Sequence, residues 1–182
     1  MANEKKLDCV ILGLLSHESL TGYEIKKRID IGIKHFWSAS FGSIYPTLEG
    51  MLNSGMVTRH DTKERGRNKA IYTITDLGRR RLAGWLAQPA EKDELRYETL
   101  LKLFFCGEAG NAAALGHIER LGQNIEKQLP FLNASVERLN NVKETDTAHR
   151  YYMLTAMCGV RIYNALLEWC GEAKMLLEET NE

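Results

Sequence analysis

The sequence has few of the residue patterns that mark metal-binding, disulfide-bonded or membrane proteins. Its four cysteines, Cys9, Cys106, Cys158 and Cys170, form no Cys-x-x-Cys pair, so neither a zinc ribbon nor a disulfide framework is predicted. No apolar run approaches the length of a membrane-spanning helix. The polar residues 1–6 do not resemble an export signal. Isolated cysteines of this kind are typical of a reducing cytoplasm, where we expect this protein.

Patterns of catalytic residues are absent as well. The five histidines are scattered, and no glycine-rich phosphate loop, metal signature or nucleophile elbow is present. We therefore expect no enzyme, no metal and no cofactor. A thiol redox sensor built on Cys106 or Cys170 is the minor alternative, and nothing in the sequence indicates a lowered thiol pKa.

The net charge is zero, but the charges are unevenly distributed. Residues 1–87 carry 14 Lys and Arg against 9 Asp and Glu, a net of +5, whereas residues 88–182 carry 10 against 15, a net of −5. A basic first half followed by an acidic second half is typical of a nucleic-acid-binding module joined to a different module. An accidental surface imbalance is the alternative.

Apolar residues recur at helical spacing in three successive segments of the first half. These residues are Leu7, Val10, Ile11, Leu14 and Leu15, then Tyr23, Ile25, Ile29 and Ile33, then Ile44, Leu48, Met51 and Leu52. Residues 16–20 are polar and predict a turn. Thr21 has the chemistry of an N-cap for the second helix, and Gly55 that of a C-terminal cap for the third.

The apolar period then changes to that of β-strands. Residues 56–60 and 70–75 predict two strands, and the charged segment 61–69 between them predicts the reversal of a hairpin. Thr75 or Asp76 should begin a fourth helix. Three helices, a hairpin and a helix are the order of a winged helix-turn-helix. The predicted fold is thus mainly α, with this domain over residues 1–87 and a two-stranded β wing.

The second half is predicted to be entirely helical, over residues 94–182, after a linker at 88–93. Ile118, Ile125, Leu132 and Leu139 recur every seven residues in a coiled-coil-like stripe, which Pro130 should kink or split. The last helix, about 148–179, is apolar on two sides and therefore needs two partners. A second subunit is the simplest choice. The predicted dimer-interface residues are Leu100, Leu101, Phe104, Phe105, Leu154, Met157, Ile162, Tyr163, Leu166 and Trp169.

Three ordered blocks carry a family resemblance: TGYEI at 21–25, GSIYPTL at 42–48 and GRNKAIYTIT at 66–75. In this order and spacing they resemble the PadR family of bacterial transcriptional regulators. LLKLFF at 100–105, VRIY at 160–163 and Trp169 resemble the helical domain of its longer-tailed members. The resemblance implies a homodimer that binds double-stranded operator DNA, commonly represses, and is often released by a small hydrophobic or aromatic effector. Gly50 and Leu52 depart from the family pattern, which usually has polar residues there.

The third helix is expected to be the recognition helix, which enters the major groove by its N-terminal end. Because a proline fits only near a helix start, Pro46 places the first turn close to Ser43. The hydroxyl groups there suit phosphates or base edges, and the Tyr45 ring suits a thymine methyl group. The basic hairpin suits phosphates or the minor groove. The candidate DNA-binding residues are Tyr23, Ser40, Ser43, Tyr45, Pro46, Thr47, Lys63, Arg65, Arg67 and Lys69.

Structural roles compete with these assignments. Tyr45 could belong to the core, Tyr23 could pack against the wing, and the charged hairpin could be a solvated turn. The run Arg79–Arg80–Arg81 is interpreted mainly as a solvated face. Aromatic residues that could line an effector pocket, or equally belong to the core or the dimer interface, are Trp37, Phe41, Trp85, Phe104, Tyr152 and Trp169.

Two further hypotheses stay open. A winged helix can serve as a protein-docking module that does not bind DNA, although docking gives no reason for a basic wing. An activator is the variant within the DNA-binding class. A twofold dimer would recognise a pseudo-palindromic site with half-sites about 34–36 Å apart, or a multiple of that distance.

Overall fold

The structure is a computed structural model that describes residues 4–64, 67–91, 93, 96–142 and 146–179. The side chains of residues 4, 5, 63, 64, 67 and 68 lie outside this description. The chain divides into two compact units, Met1–Asp93 and Glu94–Glu182. No helix in the described part is both long and apolar enough to cross a membrane.

The first unit contains four helices and three short strands in its described part. In chain order the elements are α1 (Glu4–Leu15), β1 (Leu20–Thr21), α2 (Gly22–Gly32), α3 (Phe41–Asn53), β2 (Val57–Glu64), β3 (Arg67–Ile74) and α4 (Asp76–Leu86). The sheet is antiparallel with the order β1-β3-β2. This is the predicted winged helix-turn-helix, with α2 and α3 as its helix pair and β2 and β3 as its wing.

The core of this unit is built by the apolar faces that the helical spacing predicts. Ile11 and Leu12 of α1, Ile25 and Ile29 of α2, and Ile44, Leu48 and Met51 of α3 are buried, and Val57, Tyr72 and Ile74 of the sheet close over them. Gly55 ends α3 with a positive φ of 72°, which a glycine adopts without strain. Leu52 packs against this core, which explains why this position holds an apolar residue where a polar one was expected.

Three details of the first unit differ from the predictions. Residues 16–20 are not simply a turn, because Leu20 and Thr21 form a strand that pairs with Tyr72 and Ile71 of β3. The predicted reversal at 61–69 is mostly strand, because β2 continues to Glu64 and β3 begins at Arg67. Tyr23 is not part of the core of α2, since its side chain is exposed.

All regular elements among the described residues of the second unit are helices, as predicted. It contains α5 (Glu98–Phe104), a short 3₁₀ helix (Cys106–Glu108), α6 (Asn111–Val142) and α7 (Thr147–Glu179). Helices α6 and α7 pack along each other, burying Ala114, Ile118 and Ile125 of α6 with Ala156, Gly159 and Cys170 of α7. Pro130 does not split α6, which is continuous from residue 111 to 142. The missing backbone donor of Pro130 removes one hydrogen bond from a long helix that has many others.

Candidate nucleic-acid interface

The start of α3 is held by a reciprocal pair of serines. Ser40 is the N-cap, and its hydroxyl accepts a hydrogen bond from the Ser43 amide at 3.2 Å. The Ser43 hydroxyl oxygen in turn accepts from the Ser40 amide at 3.2 Å and donates to the Ser40 carbonyl at 2.9 Å. These bonds fix the direction in which the chain enters the helix. The hydroxyl groups of Ser40 and Ser43, both predicted to contact DNA, therefore already have hydrogen-bond partners within the helix cap.

Pro46 and Thr47 lie in the second turn of α3. The helix begins at Phe41, two residues before the position that Pro46 predicts, so Pro46 leaves the Gly42 carbonyl without a helical donor. The Thr47 hydroxyl donates to the Ser43 carbonyl at 2.8 Å. A DNA group that reached Thr47 would have to share this hydroxyl group with the helix backbone.

Three aromatic rings form a row across the starts of α2 and α3. The ring centroids of Tyr23 and Phe41 are 6.4 Å apart with an interplanar angle of 11°, and those of Phe41 and Tyr45 are 6.2 Å apart at 21°. The three side chains are 64%, 43% and 48% exposed, respectively. We call this set, Tyr23, Phe41 and Tyr45, the aromatic row. Two of its members were predicted to contact DNA, whereas Phe41 was considered only for an effector pocket.

The position of the Tyr45 ring depends on Gly22. A Cβ atom at Gly22 would lie 2.6 Å from Cε1 of the Tyr45 ring and 3.2 Å from its hydroxyl oxygen. Gly22 is buried, so the ring lies directly on its backbone. Tyr45 is thus neither a core residue nor a freely moving surface residue, because one edge is packed and nearly half of its surface is exposed.

Lys26 provides a positive charge beside the row. Its ammonium nitrogen lies 5.9 Å from the centroid of the Phe41 ring, within the range of a cation–π interaction. The same ammonium group pairs with Asp30 one turn along α2. Lys26 is thereby held next to the start of α3.

The start of α2 is also strongly capped. The Glu24 amide donates to the Thr21 hydroxyl oxygen at 3.2 Å, while the Thr21 amide and hydroxyl both donate to the Glu24 carboxylate at 2.8 Å. The backbone hydrogen bond from Thr21, followed by the bond from its side chain, lowers the pKa of Glu24, with smaller contributions from the charges of Lys69 and Arg28. Lys69 is exposed on β3. The hydrogen bonds from Thr21 thus account for most of the lowering, and the charge of Lys69 adds a small part.

The remaining wing candidates are only partly described. The backbones of Lys63 and Arg67 lie in the paired strands, where Glu64 is the register partner of Arg67, but their side chains lie outside the described residues. Arg65 lies outside them entirely. The structure thus gives the strand positions of Lys63 and Arg67, and the contacts of all three residues stay predictions.

Several other basic side chains of the first unit have internal partners. Arg28 pairs with Glu18, and Arg59 donates from Nε to Asp61 at 2.8 Å. Arg81 reaches Asp8 of α1 at 3.2 Å, and Arg79 donates to the Ser16 carbonyl at 3.4 Å. Two residues of the arginine run thus connect α4 with α1 and its following turn, which is a structural role.

The predicted dimer-interface residues fall into two groups. In the single chain, Leu100, Leu101, Phe104 and Phe105 around α5 are exposed, as are Leu154 and Ile162 of α7. Phe104 is 81% exposed, and its ring meets that of Phe105 edge to face, with the centroids 5.1 Å apart. Met157, Tyr163, Leu166 and Trp169 are half-buried. The Tyr163 hydroxyl donates to Gln128 of α6 at 3.2 Å, so this tyrosine already belongs to the α6–α7 contact.

An apolar cavity of about 430 Å³, open to solvent, lies in the second unit. It is formed by α5, the 3₁₀ helix, α6 and α7, and its lining includes Leu103, Cys106, Ile118, Trp169 and Leu177. Of the aromatic residues considered for an effector pocket, Trp169 is the one that lines it. Phe104 and Tyr152 are exposed elsewhere in this unit, and Trp37 and Trp85 are half-buried in the first unit.

Of the two cysteines considered for a thiol redox sensor, Cys170 does not suit that role. Cys170 is buried rather than accessible, and burial raises the pKa of its thiol. Cys9 is also buried, and desolvation raises its thiol pKa to about 11. Both thiols are therefore poor nucleophiles near neutral pH. Cys106 is half-buried at the cavity, and Cys158 is exposed on α7. Among the described residues, no cluster of His, Cys, Asp and Glu could hold a metal ion.

Comparisons with known proteins cover both units. The sequence model of the transcriptional regulator PadR-like family matches residues 11–84, and a model described as virulence activator alpha C-term matches residues 95–178. The negative transcriptional regulator PadR of Bacillus subtilis is 31% identical over 135 residues, which span 73% of this chain and 74% of that protein.

Solved structures of transcriptional regulators also resemble this chain over most of its length. The structure of B. subtilis PadR in complex with operator DNA has a TM-score of 0.76 at 25% identity and covers 94% of this chain and 98% of that one. The same protein has been solved in complex with p-coumaric acid. The virulence activator AphA of Vibrio cholerae has a TM-score of 0.60 at 26% identity and covers 96% of this chain and 99% of that one.

Proposed function

Because this chain belongs to the PadR-like family of transcriptional regulators, we propose that it binds operator DNA as a homodimer and represses transcription until a small apolar molecule binds. The observation that carries the proposal is the start of α3. Three exposed aromatic side chains and a doubly capped helix end form one surface on a unit whose residues 1–87 have a net charge of +5. Aromatic side chains on such a basic surface suit the major groove of DNA.

The DNA-binding residues divide by the kind of contact that each can make. Tyr45, held on Gly22, is assigned to the groove together with Ser43, Pro46 and Thr47, and the Ser40–Ser43 cap fixes the helix start. Lys63, Arg67 and Lys69 belong to the wing strands, and we assign them, together with Arg65 from the same basic segment of the sequence, to phosphates. Phosphate contacts position the protein, whereas base contacts specify the sequence.

The test is a salt titration of binding to the DNA just upstream of this protein's own gene, with a random duplex of equal length as the control. We expect tight binding to the upstream fragment that survives an excess of random DNA. Equal, weak and steeply salt-dependent binding to both would place the operator elsewhere. No binding to either duplex at low salt would favour a protein-docking module instead.

Replacement of Arg67 by alanine should weaken binding to both duplexes by a similar factor. It should also reduce the slope of log K against log salt by about one unit, because one phosphate contact is lost. Tyr45→Phe is the matched variant in the recognition helix and should leave the slope unchanged. An Arg67→Ala protein with the wild-type slope would remove Arg67 from the phosphate contacts.

The second unit is proposed to form the dimer. Leu100, Leu101, Phe104 and Phe105 together expose a concentrated apolar surface, and such surfaces on soluble proteins typically mark interfaces. With the exposed residues of α7 they would form an apolar interface of roughly 2,000 Å² or more, as in obligate dimers. In a twofold dimer, residues 1–87 of each subunit would read one half-site of the operator. Residues 94–182 would join the subunits and so set the distance between the half-sites.

The effector is proposed to bind in the cavity that Trp169 lines. Its volume of about 430 Å³ lies within the range of small-molecule sites, and its mostly apolar lining suits an aromatic or hydrophobic compound. p-Coumaric acid, the ligand of the B. subtilis relative, is the first probe. We expect a change in tryptophan fluorescence that Trp169→Phe abolishes and Trp37→Phe retains. Retention of the full change by Trp169→Phe would exclude this cavity.

Repression is proposed because the 31%-identical relative is a negative regulator. The alternative is activation, as in the more distant AphA, and it would appear as increased transcription in a reporter assay. The same proposal implies a protein that binds DNA and does not catalyse a reaction. It also implies a cytoplasmic protein, since a regulator must share a compartment with its operator. The described residues contain no metal-holding cluster, and DNA binding of this kind needs none.

A further inference from the structure

Phe41 is the central ring of the aromatic row and the first residue of the recognition helix. It is 43% exposed although it is fully apolar, and the core described above closes without it. Folding alone therefore does not account for a phenylalanine at this position. The neighbouring rings of Tyr23 and Tyr45 nevertheless hold it in place from two sides.

The position of Phe41 is suited to base contact. In a helix-turn-helix protein the residues at the N-terminal end of the recognition helix meet the base edges in the major groove. The Ser40–Ser43 cap fixes this end of α3, and Gly22 beneath Tyr45 fixes the row from the other side. Lys26, which also pairs with Asp30, holds its ammonium nitrogen 5.9 Å from the centroid of the Phe41 ring and so supports the ring from a third side.

We propose that Phe41 reads the 5-methyl group of thymine in each half-site, with Tyr23 and Tyr45 as the residues that position its ring. Phenylalanine has no hydrogen-bonding group, so it cannot recognise the donors and acceptors by which the other base edges are read. The thymine methyl group is the apolar feature of the major groove, and phenylalanine is among the side chains that contact it. This inference rests on the proposed DNA-binding function and names the base chemistry of that same surface.

The chemistry predicts a difference between thymine and uracil. These two bases have the same hydrogen-bonding edge and differ by the methyl group alone. Burial of one CH₂-sized group changes an affinity by about fourfold, and two half-sites of a dimer would give about sixteenfold. A protein that reads only phosphates and hydrogen-bonding groups would bind the two kinds of DNA equally.

The experiment begins with selection from a randomised duplex library by the full-length protein. The selected duplex is then synthesised with thymine or with deoxyuridine at each A·T position in turn, and the affinities are compared at one salt concentration. We expect one position in each half-site at which uracil weakens binding by about fourfold. With Phe41→Ala this difference should disappear, whereas Phe41→Leu, which keeps an apolar side chain, should retain part of it.

Phe36→Ala is the matched control. Phe36 is also an exposed phenylalanine, 56% exposed, but its ring contacts His35 and is not in the aromatic row. This variant should discriminate between thymine and uracil as the wild type does. Because Phe41 and Phe36 are both largely outside the core, the thermal midpoints of both variants should stay close to that of the wild type.

The outcomes separate the two levels of the proposal. Failure of the library to yield any bound sequence would overturn DNA binding itself. Selected DNA that binds equally with thymine and uracil at every position would overturn methyl reading and leave the DNA-binding function intact. A thymine preference that persists in Phe41→Ala would show that another residue reads the methyl group and would overturn the assignment to Phe41.

Discussion

Two buried glycines of the first unit show how the same residue type can serve stability or function. A Cβ atom at Gly78 would lie 2.3 Å from the Met56 backbone carbonyl oxygen and 2.9 Å from side-chain atoms of Ile74 and Leu12. A Cβ atom at Gly22 would instead meet the Tyr45 ring. A backbone carbonyl cannot move without disturbing the sheet, whereas a surface ring can rotate away. The two positions should therefore respond differently to the same substitution.

Gly78→Ala should destabilise the first unit by about 1–3 kcal/mol, since it overpacks the contact between α4 and the end of the sheet. Gly84→Ala is the matched control in the same helix, because nothing lies within 4 Å of its added Cβ atom. That control should stabilise the helix by about 0.5–1 kcal/mol. Urea unfolding followed by circular dichroism measures both changes. Equal effects of the two substitutions would contradict the close approach at Gly78.

Gly22→Ala should weaken DNA binding more than it weakens the fold. The added methyl group displaces the Tyr45 ring, which is nearly half exposed, and so disrupts the aromatic row without opening a cavity in the core. We expect an affinity loss of about tenfold, corresponding to about 1.4 kcal/mol, with a small change in melting temperature. Wild-type affinity together with a large loss of stability would show that Gly22 serves packing alone.

At the scale of the element, the starts of α2 and α3 are set by side chains at the cap residue and three residues after it. Thr21 and Glu24 cap α2, and Ser40 and Ser43 cap α3. Caps of this kind satisfy amide groups that have no partner inside the helix. They also fix the ends of the two helices that are proposed to approach DNA, so a loss of the cap should loosen the reading surface before it unfolds the unit.

The Thr21–Glu24 cap should make α2 sensitive to acid. Because the pKa of Glu24 is lowered in the folded protein, its stabilisation is fully present above the pKa of about 4.3 of an unfolded glutamate and is lost as the pH falls below it. Glu24→Gln should lower the free energy of unfolding by about 0.3–1 kcal/mol at pH 7, the usual contribution of an exposed carboxylate in the first turn of a helix. The difference from wild type should shrink near pH 3. A difference independent of pH would exclude a charge contribution from Glu24.

At the scale of the whole molecule, a concentrated set of exposed apolar side chains lies on the second unit, around α5. Leu101 and Phe104 are 61% and 81% exposed, and a single chain would leave both side chains in water. The proposed dimer removes them from water and provides the twofold symmetry of an operator. Dimerisation and DNA binding should therefore be lost together.

Replacement of Leu101 and Phe104 by aspartate should shift the protein toward a monomer in sedimentation at micromolar concentration, because a charge buried in an apolar interface without a partner is strongly unfavourable. Leu86→Asp is the control, since Leu86 is similarly exposed at the end of α4 in the first unit. That variant should remain dimeric. A wild-type protein that sediments as a monomer would refute the dimer directly.

The amino-acid sequence was sufficient to predict the helical positions of the two units and much of the first core. Ile25, Ile29, Ile44 and Leu48 follow a helical period that predicts their burial, although Tyr23 of the same pattern is exposed. The caps at Thr21 and Gly55 were also predictable, because capping depends on the chemistry of a few adjacent residues. The family resemblance added the expected function to this local information.

The features that only the tertiary structure decided join residues far apart in the chain. Leu20 becomes a strand because Tyr72 lies beside it, and Gly22 matters because Tyr45 folds onto it. The aromatic row brings Tyr23 of α2 next to Phe41 of α3, which neither helix's period indicates. A sequence pattern reports which face of an element is apolar, whereas the identity of its neighbour depends on how separate elements pack. The candidate reading surface is a product of that packing, which is why the sequence indicated Tyr23 and Tyr45 but missed Phe41 between them.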